Sequence, residues 1–263
     1  MVLHDQHVHS SFSEDSNQEI KEYYDFAKKI GCKYFITTEH IDLDVTLQKC
    51  DWVVDFKKLK QRLNEIKEPN GPIPLLGVEI GFRIDLLDEL YKWINSEDFD
   101  LINLSIHDNG KVEYYFVDYF IKNGIKKTMI DYYTQMMEAV NIMDNFDVLS
   151  HIDYAYKTCY KIDPTYNFLD DEELIRPILE TIIKKGKALE INSKVQNVLP
   201  DEHLIKLLEF YKKLGGEKIT LSSDAHIINR YLDNFEKYKN IIKECGFNYL
   251  CYYIKRKEYH YDI

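Results

Sequence analysis

The stretch Tyr34-Phe35-Ile36-Thr37-Thr38-Glu39-His40 opens with five β-branched or aromatic residues and closes on a histidine. It reads as a buried β-strand with a polar residue at its carboxyl end. The same arrangement recurs along the chain. Apolar runs at Val2–His9, Leu75–Ile80, Leu101–His107, Val148–His151, Ala188–Asn192 and Ile219–Asp224 each have the length of a strand. Between them lie amphipathic stretches. Ile20, Tyr23, Tyr24, Ala27 and Ile30 recur at helical spacing, with Ser16 and Glu19 as a capping box and Gly31 as a stop. The stripes Leu174–Ile183 and Leu204–Leu214 end at Gly186 and at Gly215-Gly216. Further helices are predicted over 55–67, 85–95, 126–144 and 232–244. Strands alternating with helices predict a parallel α/β sheet, buried on both faces.

A chain of 263 residues with 45% hydrophobic residues can bury one large core of barrel or doubly wound type. No linker or low-complexity segment divides it, so one domain spanning 1–263 is expected. The balance of 34 Lys+Arg against 45 Asp+Glu gives a net charge of −11, which argues against nucleic acid or an anionic membrane as partner. Taken alone, it also disfavours an anionic substrate. No apolar run reaches the roughly 18–20 residues that span a bilayer. The start MVLHDQHVHS has no signal-peptide pattern. Five scattered cysteines without a Cys-x-x-Cys pair suit a reduced, cytoplasmic protein.

The histidines follow the strand map. His7 and His9 end the first run, His40 the second, His107 the fourth and His151 the fifth, while His226 lies just past the seventh. Glu79 ends the third run and Asp224 the seventh. In an α/β barrel the carboxyl ends of neighbouring strands converge on one mouth, where the chemistry sits. A lone histidine at a strand end is usually a hydrogen-bonded core residue. Six at the same register point to a metal centre. Asp5-x-His7-x-His9 places three side chains on one strand face. Asp5 is then either an orienting partner for an imidazole or a buried structural carboxylate. The set offers only nitrogen and oxygen donors, which suits Zn, Mn or Fe. Its size exceeds a mononuclear zinc site, so two or three divalent ions are expected, with a central Glu bridging. Phosphoester hydrolysis is the reaction such a centre serves best.

Together these residues resemble the polymerase and histidinol phosphatase (PHP) superfamily: His-x-His at 7–9, Thr-Glu-His at 38–40, Gly-Val-Glu at 77–79, Ser-Ile-His at 105–107, Ser-His-Ile-Asp at 150–153, Glu-Ile-Asn at 190–192 and Ser-Asp-Ala-His at 223–226. The total length and the long insert between His107 and His151 look most like the histidinol-phosphate phosphatase branch. The resemblance implies a distorted (β/α)7 barrel with a trinuclear metal centre at the C-terminal ends of its strands. It implies one metal on His7, His9, Glu79 and Asp224, a second on Glu79, His107 and His151, and a third on Asp15, His40 and His226. Glu14 could replace Asp15 if the loop shifts by one. Glu79, Asp224 and His226 are the implied catalytic residues. The implied activity is a phosphomonoesterase that hydrolyses L-histidinol phosphate through a metal-bridging hydroxide, in histidine biosynthesis. A related enzyme acting on a nucleotide phosphate or phosphotyrosine is the rival; a non-catalytic metal-binding module is the second.

One departure bears on the substrate. The branch usually carries an Arg shortly after the His-x-Asp of the fifth strand; here the nearest cation is Lys157. Lysine is a point charge without the bidentate fork of arginine. Arg83, four residues past Glu79, is the other expected substrate-binding cation, and Arg230 follows the last motif. Glu39 and Asp153 flank ligands and could bond imidazoles, while Glu190 and Asn192 could shape the pocket. His4, His203 and His260 are expected on the surface or a helix face, and Ile254–Glu258 is expected to be a solvated edge.

Overall fold

The structure is a computed structural model and describes residues 4–263. Its strands are β1 Tyr34–Val45, β2 Cys50–Val53, β3 Ile73–Gly81, β4 Leu101–Ser105, β5 Val148–Leu149, β6 Ala188–Asn192, β7 Ile219–Ser222, β8 Tyr249–Ile254 and β9 Lys257–Asp262. The helices are α1 Ile20–Lys29, α2 Phe56–Ile66, α3 Leu87–Ile94, α4 Val117–Asn123, α5 Ile125–Ile142, α6 Tyr154–Ile162, α7 Glu172–Lys184, α8 Ser193–Gln196, α9 Asp201–Lys213 and α10 Phe235–Glu244. The first seven strands form one sheet in the order β2-β1-β3-β4-β5-β6-β7. All neighbours in it are parallel except β1 and β2, which form an antiparallel hairpin. The residues of β4, β5, β6 and β7 are all buried, as expected for strands covered on both faces.

The first predicted run behaves differently from a ladder strand. Val2 and Leu3 lie outside the described residues, and of the rest only Val8 forms a sheet bridge, to Ala225. Asp224 N donates to His7 O at 2.8 Å, His9 N to Ala225 O at 2.9 Å, and Thr38 N to Val8 O at 2.8 Å. Residues 7–9 therefore lie between β1 and the end of β7 and close the sheet into a distorted barrel. The segment is too briefly paired on either side to count as a strand, because each neighbour offers it only one or two groups. β1 runs five residues beyond His40, since it turns back to pair with β2.

The opposite end of the barrel is stoppered. β8 and β9 form a hairpin whose Cys251 and Tyr253 pack on Leu101, Val148 and Ala188, the first residues of β4, β5 and β6. Its two-residue turn puts Lys255 and Arg256 at φ 50° and 61°, a left-handed conformation that costs non-glycine residues energy. The turn is held by Asp100, whose carboxylate accepts from Lys255 N at 2.9 Å, and by the pairing of Arg256 with Asp147. The expectation of a solvated edge at 254–258 is thus corrected: Arg256 clamps the hairpin onto the barrel. The Ser16–Glu19 capping box does not form either. Glu19 caps α1 without a side-chain bond, and the Ser16 hydroxyl donates to His226 O at 2.9 Å.

Candidate metal centre

At the other mouth, the carboxyl ends of the strands bring the ligand-type residues together. His40 and Glu79 are register partners on β1 and β3, while His107, His151, Asp224 and His226 lie just past β4, β5 and β7. Glu79 stands at the centre. Its Oε2 lies 3.1 Å from His7 Nε2, 3.2 Å from His9 Nε2 and 3.2 Å from His40 Nδ1. Its Oε1 lies 2.9 Å from His151 Nε2 and 3.2 Å from His107 Nε2. Asp224 Oδ1 is 3.5 Å from His9 Nε2, and Asp15 Oδ2 is 2.8 Å from His226 Nε2 and Oδ1 3.5 Å from His40 Nε2. All nine residues named from the sequence as ligands converge here, and the loop presents Asp15 rather than Glu14 to His40 and His226. His151 and Asp224 sit at φ 21° and 51°. Such backbone costs about 1–3 kcal/mol per residue and persists where the surroundings impose it.

The residues fit divalent ions. His7 Nε2, His9 Nε2 and both ring nitrogens of His40 are buried without a hydrogen-bond partner among the described residues, although carboxylate oxygens lie close by. An orphaned buried nitrogen is costly unless something else takes its lone pair. Two ligands held at about 2.0–2.1 Å around one tetrahedral zinc stand about 3.3 Å apart. The donor spacings around Glu79 cluster near that value. His7, His9 and Asp224 form one group of mutually close donors, His7, Glu79 and His151 another, and His9, His40 and His226 a third. A fourth, of His40, Asp42 and His107, contains an acid not anticipated from the sequence. The signal was present: Asp42 follows His40 by two residues and so shares its strand face.

The electrostatics show what the cluster lacks. Burial pulls the His7 and His40 imidazoles down, yet Glu79 and the other carboxylates outweigh it and hold both well above the ordinary value. His107, buried but beside Asp42 and Glu79, is pushed up to about 10. Burial also opposes ionisation of Glu79, but His7, His107 and His40 hold its carboxyl well below the usual range. His9 goes the other way, driven well down by burial and by the neighbouring His40 and His226. A site that draws protons this strongly is short of positive charge, and divalent ions meet the same demand.

Around the ligands, carboxylates and hydroxyls fix the rings. Glu190 Oε1 lies 2.7 Å from His7 Nδ1, and its Oε2 accepts from His151 N at 2.8 Å, so Glu190 braces ligands rather than shaping the pocket. Asp42 Oδ1 bonds His107 Nδ1 at 2.7 Å, and its Oδ2 lies 2.8 Å from His40 Nδ1. Ser13 Oγ links His9 Nδ1, at 3.3 Å, to Glu39 Oε2, at 2.6 Å. Glu39 therefore reaches an imidazole only through Ser13. Asp5 is the structural carboxylate: it accepts from His7 N at 3.2 Å and Ser223 N at 2.9 Å. Asp153 does bond an imidazole, but that of His203, at 2.9 Å. His203 lies on a helix face, one of the two places expected for it, but is buried there and stacked on Tyr156.

A cavity of about 430 Å³ opens over this cluster, a size suited to a small ligand. Lys157 lines it, with Nζ 4.4 Å from the Tyr154 ring centroid. Burial, then the charge of Lys194, brings its ammonium down to about 8. Arg83 does not reach the cavity. Its guanidinium bonds Asp85 Oδ2 at 2.7 Å and Asp108 Oδ1 at 2.9 Å, and Arg230 is spent on Asp233. The second cation at the mouth is Lys194 on α8, 3.2 Å from both Asp224 Oδ1 and His226 Nδ1. Its position two residues beyond the sixth strand, at the carboxyl end, could have marked it.

A model of the PHP domain family matches residues 5–194 of this sequence. The chain belongs to the PHP domain family. Among PHP relatives, the histidinol-phosphatase of Lactococcus lactis subsp. lactis is 28% identical over 250 residues, covering 94% of this chain and 92% of that protein. The crystal structure of histidinol phosphate phosphatase from the same organism, complexed with Zn, L-histidinol and phosphate, matches with a TM-score of 0.84 at 26% identity, over 97% of this chain and 98% of that one. A second solved structure, from Listeria monocytogenes, shares the fold with a TM-score of 0.74 at 17% identity, over 89% of this chain and 99% of that one. This PHP domain has no helix, among the described residues, long and apolar enough to cross a membrane.

Proposed function

We propose that this chain is a metal-dependent phosphomonoesterase that hydrolyses L-histidinol phosphate to L-histidinol and phosphate, the step of histidine biosynthesis that releases the amino alcohol. One observation carries the reading. A nitrogen- and oxygen-donor cluster and two lysines meet at one cavity, and 97% of the chain matches a structure complexed with Zn, L-histidinol and phosphate. In this reading residues 1–263 act as one catalytic domain in the cytoplasm, with neither nucleic acid nor membrane as partner.

His7, His9, Glu79 and Asp224 would hold one ion, Glu79, His107 and His151 a second, and Asp15, His40 and His226 a third. The donors suit zinc and equally accept manganese or iron. When bound, such ions supply Lewis acidity, making water nucleophilic at neutral pH and neutralising phosphoryl charge. The chain's own groups do the rest. Lys157 and Lys194 offer ammonium groups to the phosphoryl oxygens. Tyr154, packed over Lys157, His107 and His151, keeps bulk water from the anion. Glu113 lines the cavity and has no cation partner among the described residues, which leaves its carboxylate to receive the ammonium of the amino alcohol.

The test is phosphate release by zinc-loaded protein from L-histidinol phosphate, nucleoside monophosphates and phosphotyrosine side by side. The reading expects the first to dominate in kcat/KM and Glu79→Gln to abolish turnover. Equal or better rates on the other esters would overturn the substrate; no release from any, with Glu79→Gln indistinguishable, would overturn the activity.

A further inference from the structure

The β8–β9 hairpin carries donors that the catalytic reading does not use. Cys251 and His260 are direct cross-strand partners, so their side chains share one face. Glu258 precedes His260 by two residues and lies on that face as well. Its Oε1 is 2.5 Å from His260 Nε2 and 3.8 Å from Cys251 Sγ. The three donor atoms all lie within 4.8 Å of one another. Zinc takes sulfur at about 2.3 Å and nitrogen or oxygen at about 2.0–2.2 Å, which leaves tetrahedral ligands about 3.3–3.7 Å apart. Small side-chain adjustments reach that spacing.

The surroundings are those of a supported site. The other oxygen of Glu258 is gripped by Lys218 Nζ at 2.6 Å, the kind of outer bond that fixes a ligating carboxylate. The His260 ring stacks on Tyr249 with centroids 4.1 Å apart, which sets its plane. Cys251 is fully buried, whereas His260 is exposed, so an ion can enter from solvent and keep a fourth position open to water.

We propose that Cys251, Glu258 and His260 form a second metal site, which takes one zinc-type divalent ion at the end of the barrel opposite the catalytic mouth. One thiolate, one carboxylate and one imidazole suit a borderline-soft ion and balance its two charges. Cysteine ligates as the thiolate, so binding releases the thiol proton to solvent. The ion joins two strands of the hairpin that stoppers the barrel, and its role is structural.

Cobalt discriminates this site from the catalytic one. The catalytic donors are nitrogen and oxygen alone, so near-ultraviolet thiolate-to-cobalt charge transfer in the metal-stripped, Co²⁺-refilled full chain can come only from a cysteine site. The band should saturate at one ion per chain and vanish in Cys251→Ser. His260→Ala, a change at an exposed position, should weaken the site about tenfold or more. Zinc-loaded wild type should hold one more equivalent than Cys251→Ser, with phosphatase rates in both variants within about twofold of wild type. No charge-transfer band, a band retained in Cys251→Ser, or equal zinc content would each overturn the proposal. Failure of the histidinol phosphate reading would leave the band untouched.

Discussion

Glu190 Oε1 lies 2.7 Å from Nδ1 of His7, both side chains fully buried, and this leaves Nε2 of the imidazole facing Glu79. A carboxylate behind a ligating histidine sets its tautomer and raises its basicity. Glu190→Gln keeps the shape and removes the charge. Metal affinity at the catalytic centre should fall about 10–100-fold, while far-ultraviolet circular dichroism stays as in wild type. Unchanged affinity in a metal titration would show that Glu190 does no more than fill space.

In the proposed reading, where Lys157 meets the phosphoryl oxygens, phosphate affinity depends on pH. With its ammonium brought down to about 8, the residue is charged below that pH and neutral above it. KM for the phosphate ester should therefore rise as pH climbs through 8, with kcat less affected. Lys157→Arg keeps the charge and should move that alkaline limb upward by more than a unit, since arginine does not deprotonate in this range. An identical pH profile in the variant would assign the limb to another group.

Arg83 is a structural cation. Arg83→Ala should leave KM within about twofold of wild type, because the guanidinium bonds Asp85 and Asp108 outside the cavity. It should cost about 2 kcal/mol of stability, since buried Asp108 loses its cation and keeps, among the described residues, only the bond from Gly110 N. Denaturant unfolding gives the second number and steady-state kinetics the first; a large KM change with full stability would reverse the assignment.

Gly81 guards Asp42. A Cβ at Gly81 would come within 1.8 Å of Asp42 Oδ1, the oxygen that holds His107. Gly81→Ala should thus turn the Asp42 carboxylate off His107 and lower metal occupancy and turnover at least tenfold. Metal content of the purified variant reads this directly, and wild-type content and rate would count against it.

Chelation should destabilise the fold as well as silence the centre. An ion held at 100 times its dissociation constant contributes about 2.7 kcal/mol of stability. Stripping the ions should lower Tm, and Glu79→Gln should narrow the gap between loaded and stripped protein. No difference in Tm on chelation would mean that the cluster holds no ion in the native state.

Much of this was legible in the sequence because strand ends are a positional code. Once KYFITTEH and LLGVEI are read as strands, His40 and Glu79 must come to the same mouth, and the structure makes them register partners. What stayed hidden depends on tertiary partners rather than on local pattern. Arg83 and Lys194 look alike as cations near strand ends; only the positions of Asp85 and Asp108 decide which one faces the cavity. His203 sits on a helix face with ordinary periodicity, and its burial comes from Asp153, fifty residues away. The hairpin at 249–262 escapes the sequence pattern because its strands are dominated by Tyr rather than aliphatic residues and pair only with each other.

The seam made by residues 7–9 has a consequence for how the protein comes into being. His7 and His9 are backbone-bonded to Asp224 and Ala225, more than two hundred positions further along the chain. Contacts of that span are the slowest to form, because the intervening chain must already be ordered. During synthesis His7 and His9 emerge more than two hundred residues before these partners. Until then they are loose, solvent-facing imidazoles, free to meet a metal in the wrong geometry. In the proposed reading, correct loading is therefore a late event that follows barrel closure, since Asp224 and His226 lie beyond the seventh strand.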